Sequence, residues 1–522
     1  MYARRARAES PRRARHDRAA KELGRQVTST RSLLTATLVL LAGCGGPAGP
    51  GQRSLTLAPT AFTLVVGETV QLAGSVRDGA GNPVPGATVS WATSDLSVAR
   101  VDGKGLVTGS AVGSAEISVV SGSDTATAAI TVRGVPCLNQ PGPTVTISGP
   151  QDSALDKTSA AADTKFDAST AQFLTTADVA TRVGGSAVCY HGGQVVGQGP
   201  PSTTWTIMHD RYGMVVRDAP RFLMEGVTFF DYGDGMSMDD QRDDGWTIRN
   251  VHVKYSRDDC VENDFLNSGT IDSSFFDGCY DGMSSLEYTR VLDGSANLVV
   301  IRNSLWRLQA MDQAYSGPLP NHNAFWKWGA DAPKLALYGN VFRADAGSEE
   351  GNGAGMFMAP PPGKLADCAN NVMVWLGPGA FPEALPTTFD GKSCFTLMTG
   401  ATGLDYWNNR VAQWKTAHPS ALADIGAPIV SLFSPGVTGS AALTGGVSLT
   451  ATAVDDDSVA LVVFRMNGDS IGTVAVAAPP TKYTLTWDSH GEPNGTYALT
   501  ATARDAAGHA TTSAAVTVTV SN

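Results

Sequence analysis

The densest concentration of reactive side chains lies at Arg257-Asp258-Asp259-Cys260-Val261-Glu262-Asn263-Asp264, just beyond Lys254. Four acids in seven residues, with two bases beside them, stand out in a chain that is only 17% charged. Carboxylates so close together have three uses. They can share a proton and act as an acid/base pair. They can wrap an oxygen-preferring cation such as calcium. Or they can accept backbone N–H bonds in a turn and do no chemistry. A second concentration is aromatic: Trp326 and Trp328 stand near His322 and Tyr315. On an exposed loop these rings would stack on the apolar C–H faces of sugars; the other use is to close the loop against a core. His252 points outward by strand alternation.

The acids take their spacing from a repeat. With Gly226, Asn250, Ser273, Asn303, Gly339 and Asn370 as register points, the residues two positions earlier are Met224, Ile248, Ile271, Ile301, Leu337 and Cys368. Those three positions later are Phe229, Val253, Phe276, Trp306, Phe342 and Met373. Every flanking residue is apolar or a thiol, and all but one register point is Gly or Asn, the residues that tolerate a left-handed corner. The pattern predicts a strand, a corner, a second strand and a loop of variable length, each coil stacking on the next to bury its apolar side. Eight positions after the corner come Asp234, Asp258 and Asp281; fourteen after come Asp240, Asp264 and Glu287. Stacked coils would set equivalent acids about 5 Å apart. At that spacing they raise one another's pKa unless a cation or shared proton intervenes.

Over about Gly213 to Val374 the repeat resembles the right-handed parallel β-helix of pectate lyases, polygalacturonases, chondroitinase B and many surface proteins. The lyase resemblance implies Lys254 or Arg257 as the base, with Glu262, Asp264 and, on the next coil, Glu287 as calcium ligands. The hydrolase resemblance implies instead that Asp258, Asp259 and Asp281 do the work. Neither the Asn-Thr-Asp nor the Gly-His-Gly motif of the hydrolases occurs, and both chemistries stay open. His322, Trp326 and Trp328 are the candidate sugar contacts.

Two further modules flank the repeat. Residues 54–134 alternate apolar and polar in short runs broken by turns such as Gly81-Asn82-Pro83, the pattern of an antiparallel sandwich. Val66-Gly67-Glu68-Thr69, Val89-Ser90-Trp91 and Gly105-Leu106-Val107-Thr108-Gly109 resemble the bacterial immunoglobulin-like group 2 domain of intimins and invasins, which implies a spacer or adhesive module. Residues 427–522 alternate likewise, and Gly495-Thr496-Tyr497 with Ala503-Arg504-Asp505 resembles the C-terminal immunoglobulin-like domains of secreted bacterial proteins. Val454-Asp455-Asp456-Asp457 is a turn with calcium or solvent as its partner. The expected fold class is therefore all-β, a right-handed parallel β-helix over 137–425 flanked by two immunoglobulin-like sandwiches.

The N-terminal residues read as an address. A basic stretch ends at Arg31, an apolar run spans Leu33 to Gly43, and Leu41-Ala42-Gly43-Cys44 resembles the bacterial lipobox, which implies lipidation at Cys44. A Gly/Pro-rich tether, 44–53, follows. Residues 1–43 carry a net charge of +7, so removing them from the total of −11 leaves −18. An acidic chain of this kind is a poor binder of nucleic acid. No pair of cysteines has CxxC spacing, which argues against zinc. Cys137–Cys189 and Cys368–Cys394 are the expected disulfides, with Cys260 and Cys279 either buried thiols or a third pair. Two functions follow as expectations: a lipid-anchored protein at the outer membrane or cell surface that binds and cleaves an acidic polysaccharide with calcium, or a non-catalytic adhesin built for display.

Overall fold

The computed structural model describes residues 53–522 apart from 97, 111, 200–202, 288–290, 312–320, 350–354, 420–423, 434–441, 456–457 and 476–481. Cys44, Tyr315, Asp456 and Asp457 thus lie outside the described residues. Two compact units divide the chain at Arg133. In the first, strands Ala61–Val65, Asp124–Arg133, Gly113–Ser121 and Ser90–Thr93 form one sheet, and Thr69–Gln71, Leu106–Gly109 and Ala99–Val101 another. Alternate residues of these strands, Leu64, Val107, Ile117, Val119, Ile130 and Val132 among them, meet in the core of a sandwich.

The second unit opens with a parallel β-helix. Among the described residues, 23 strands between Thr144 and Thr399 join one continuous sheet. The repeat sets its register. Met224, Ile248, Ile271, Ile301, Leu337 and Cys368 pair in sequence from coil to coil. Phe229, Val253, Phe276, Trp306, Phe342 and Met373 do the same. All six corner residues between them adopt positive φ, from 50° at Ser273 to 69° at Gly226. Phe276 stacks on Trp306 with centroids 3.8 Å apart, and each large side chain so buried contributes about 2 kcal/mol or more.

One residue past the corner runs an interior polar ladder. Ser274 N donates to Ser304 Oγ (3.1 Å), Ser304 N to Asn340 Oδ1 (3.0 Å) and Asn340 N to Asn371 Oδ1 (3.0 Å). Corner amides that would otherwise be buried without partners are satisfied in this way.

The strands that carry the acids are β1 (Asp234–Met238), β2 (His252–Glu262), β3 (Phe275–Ser285) and β4 (Trp326–Trp328), stacked in that order. Disulfides join Cys137 to Cys189, Cys368 to Cys394 and, between β2 and β3, Cys260 to Cys279. Helix α1 (Gly400–Ala417) lies along the outer face of the coils, its Trp407, Val411 and Trp414 packing on Phe275, Leu305 and Val341. The chain then enters the second sandwich through β5 (Ile429–Phe433) and β6 (Gly446–Val454), which pair antiparallel. This sandwich seats on the β-helix through a buried cluster of Val196, Phe230, Tyr255, Tyr280, Met311, Ile429 and Val454. No helix among the described residues is long and apolar enough to cross a membrane.

Candidate functional site

An irregularity in β2 shapes the acidic face. Ser256 pairs with Cys279, but Asp259 pairs with Asp281, so β2 carries an extra residue between them. Counting from the corner had set Asp258 opposite Asp281; the bulge moves Asp259 into that place. Asp259 N donates to Asp234 Oδ1 on the preceding coil (2.9 Å). The ladder is therefore Asp234, Asp259 and Asp281, with Asp258 turned in beside it: oxygens of Asp234, Asp258 and Asp259 lie within 4.8 Å of one another. Close stacking here needs small residues, since a Cβ on Gly235 would stand 2.6 Å from Cys260 O and one on Gly282 2.6 Å from Phe325 O.

One cation enters this group directly. Lys327 Nζ lies 3.0 Å from Asp259 Oδ2. In β4 the indoles of Trp326 and Trp328 turn into the coil interior, so alternation presents Lys327 to the acids. The sequence had offered the two tryptophans as sugar platforms. They are core residues instead, Trp328 Nε1 donating to Pro333 O (3.0 Å), because a coil interior of this width takes large rings at that position. His322 is buried too, with Nδ1 2.8 Å from Asn323 O.

Burial raises the Asp281 carboxyl to about 7, with Lys327 opposing and Asp258 reinforcing the rise. Asp281 still accepts from Ala324 N (3.1 Å) and Asn323 Nδ2 (3.2 Å). Asp234 is pushed well above the usual carboxylate range by burial and then by the charges of Glu262, Asp258 and Asp259. Asp259 is pushed the same way by burial, against the pull of Lys327. Glu262, opposite Ser284 on β3 and Ser237 on β1, completes the face. Protons are therefore held on this face near neutral pH, which suits general acid work.

The other expected site residues lie elsewhere. Lys254 opposes Asp277, whose carboxyl also meets Arg307 Nε at 2.5 Å. Although burial favours its protonation, Arg307 and Lys254 hold Asp277 below the usual carboxylate range. Arg257 is fully buried against Asp231 (2.5 Å), and burial outweighs that guanidinium to raise Asp231 to about 7. The second acid series is not a ladder at all. Asp240 pairs with Arg242, Asp264 accepts from Ser284 Oγ (2.5 Å) and Leu286 N (3.0 Å), and Glu287 accepts from Val291 N (3.0 Å). The variable loops after each coil place these positions in separate turns. Glu287 borders a cleft of about 190 Å³ floored by Leu266, Leu286 and Leu292. His252 points outward but lies under Trp414, and burial drives its imidazole down to about 3. Asp455 is buried, accepting from Ser458 N (2.9 Å).

Comparisons with known proteins fall on the flanking modules. Residues 53–132 match the bacterial Ig-like domain (group 2), and residues 428–501 match the bacterial Ig domain. No curated protein matches the chain. Among solved structures, the fibronectin(III)-like modules of Clostridium thermocellum CbhA are 26% identical over 18% of this chain, with a TM-score of 0.15; the chain spans 46% of that structure's length. The protein thus carries two bacterial Ig-like domains on either side of a parallel β-helix.

Proposed function

We propose that the protein is an exported, lipid-anchored surface protein whose β-helix binds a polysaccharide and hydrolyses it at the face of Asp234, Asp258, Asp259 and Asp281. The convergence of Asp234, Asp258 and Asp259 within 4.8 Å carries this reading, because glycosidic hydrolysis needs one carboxyl that holds a proton beside another that does not. Asp281 would supply the proton, with the other acids of the face beside it. Lys327 orients Asp259. Proton abstraction by Lys254 or Arg257 fits less well, since both are engaged with acids of their own. The Ig-like modules suit a protein that works at a surface or on carbohydrate.

Calcium, which takes oxygen ligands only, suits the same donors. Asp234, Asp258 and Asp259 would hold it, and the buried Asp259 Oδ1 has no hydrogen-bond partner. Bound there, the ion would neutralise the face towards an acidic polymer. The display reading keeps one observation in its favour: none of Asp234, Asp258, Asp259, Glu262 and Asp281 is more than 4% exposed.

Incubation with uronate-containing and neutral polysaccharides, with calcium or chelator, separates the cases. New reducing ends without unsaturated product, abolished by Asp259→Asn, are expected. Unsaturated product would overturn hydrolysis in favour of a lyase, and binding without cleavage would favour display.

A further inference from the structure

We infer that the C-terminal Ig-like domain, through Ile429 and Val454, holds the acidic bulge in its working shape, and that Tyr255 is the positioning residue through which it acts. The inference rests on the acidic face being the functional site. Its starting point is a second corner, formed where Asp231, Tyr255 and Gly278 each precede paired residues of successive coils. All three adopt positive φ, at 61°, 57° and 93°. Glycine does this freely and aspartate tolerates it, but a tyrosine is found there only when its surroundings hold it.

Two sets of contacts do so. The Tyr255 side chain is buried with Val196, Phe230, Tyr280 and Met311 of the β-helix and with Ile429 and Val454 of the Ig-like domain. These last two residues pair across β5 and β6 and stand outside the sandwich's own core. The Arg257 guanidinium lies 5.7 Å from the Tyr255 ring centroid and is paired with Asp231 of the coil before. Between these anchors and Lys327, the strand accommodates its extra residue. Ser256 Oγ bridges Gly233 O (2.7 Å) and Asp259 O (2.9 Å), and Asp259 reaches Lys327.

The segment from Tyr255 to Asp259 is therefore pinned by an apolar contact at one end and an ion pair at the other. If Tyr255 relaxes to ordinary negative φ, the extra residue has no reason to remain between Ser256 and Asp259. A shift of one residue in a strand exchanges its two faces, which would turn Asp259 away from Asp234 and Asp281. The apolar seat of the Ig-like domain opposes that shift, so the domain contributes to the site without a residue in it.

The test uses the full chain with Ile429→Ala and Val454→Ala, singly and together, and Tyr255→Phe as the conservative variant. Hydrogen exchange should rise about tenfold or more over 254–262 in the double variant, while 365–375 and 495–505 keep their protection. Cleavage should lose kcat with KM unchanged and shift its pH profile, and Tyr255→Phe should behave as the parent. Unchanged protection over 254–262 in a folded double variant would overturn the inference. So would a rise spread evenly over the whole unit, which marks simple destabilisation. If the parent cleaves nothing, hydrolysis fails, and the exchange comparison still decides whether the Ig-like domain holds the bulge.

Discussion

Asp281 gives a prediction whose sign changes with pH. Its carboxyl titrates at about 7 in the folded chain and near 3.9 when unfolded. Below about pH 4 both states carry the proton, and the group has no effect on stability. Between about pH 4 and 7 the unfolded state releases it first, so stability falls as pH rises; above that window the deficit is constant. The gap between the two values corresponds to about 4 kcal/mol, and Asp281, at 2% exposure, has little solvent to screen it. Asp281→Asn removes this deficit. Its Oδ1 can still accept from Ala324 N, but its Nδ2 would face Asn323 Nδ2, a mismatch worth about 1 kcal/mol at every pH. The variant should therefore be less stable than the parent at pH 3, about equal near pH 4.5, and more stable, by about 2–3 kcal/mol, at pH 8. Urea unfolding across that range, followed through the buried indoles of Trp246, Trp306, Trp326 and Trp328, reads the difference. Parallel midpoint curves for the two proteins would refute the argument, because they would mean that Asp281 does not hold a proton near neutrality.

Lys327→Met leaves Asp259 without its cation, and the same unfolding series should show a loss of about 3–5 kcal/mol at pH 8, shrinking towards pH 5 as the acids protonate. The Cys260–Cys279 bridge, with a sequence separation of 19, should contribute about 3 kcal/mol by constraining the unfolded chain. Cys260→Ala/Cys279→Ala measures it, and a non-reduced digest lacking the linked peptide would remove the premise.

The frame of the β-helix was legible because stacking makes every coil reuse the same positions. A left-handed corner admits few residues, so Gly226, Asn250, Asn303, Gly339 and Asn370 marked it, and the apolar residues around them fell into register. The bulge was not legible, since one extra residue in β2 costs nothing in composition, yet it exchanges Asp258 for Asp259. Lys327 did carry a signal. In Trp326-Lys327-Trp328, two indoles turned inward leave the lysine facing out, but the tryptophans drew the functional reading to themselves. Helix α1 also had one, the spacing of Trp407, Val411 and Trp414, masked by the glycines of its first turn.

The acidic face stands apart from the other charged ladders of the same β-helix. Along one row of positions, His191, Glu225, Arg249, Asp272 and Arg302 occur in coil order, with Arg249 Nε 2.7 Å from Glu225 and Arg302 Nε 3.3 Å from Asp272. Along another, Lys254, Asp277 and Arg307 alternate in the same way. Both rows do what stacking rewards, placing opposite charges at the spacing of adjacent coils. The row of Asp234, Asp259 and Asp281 does the reverse, with Lys327 in contact with Asp259, and two like charges at that spacing repel by about 3 kcal/mol at the effective dielectric of a protein. Asparagine would fill the same places and bond along the coils, as Asn340 and Asn371 do inside. Asp234 and Asp281 each accept a backbone N–H from an adjacent coil, a task that an asparagine oxygen performs without the charge. In the function proposed for this face the three act together, retaining a proton or receiving a cation.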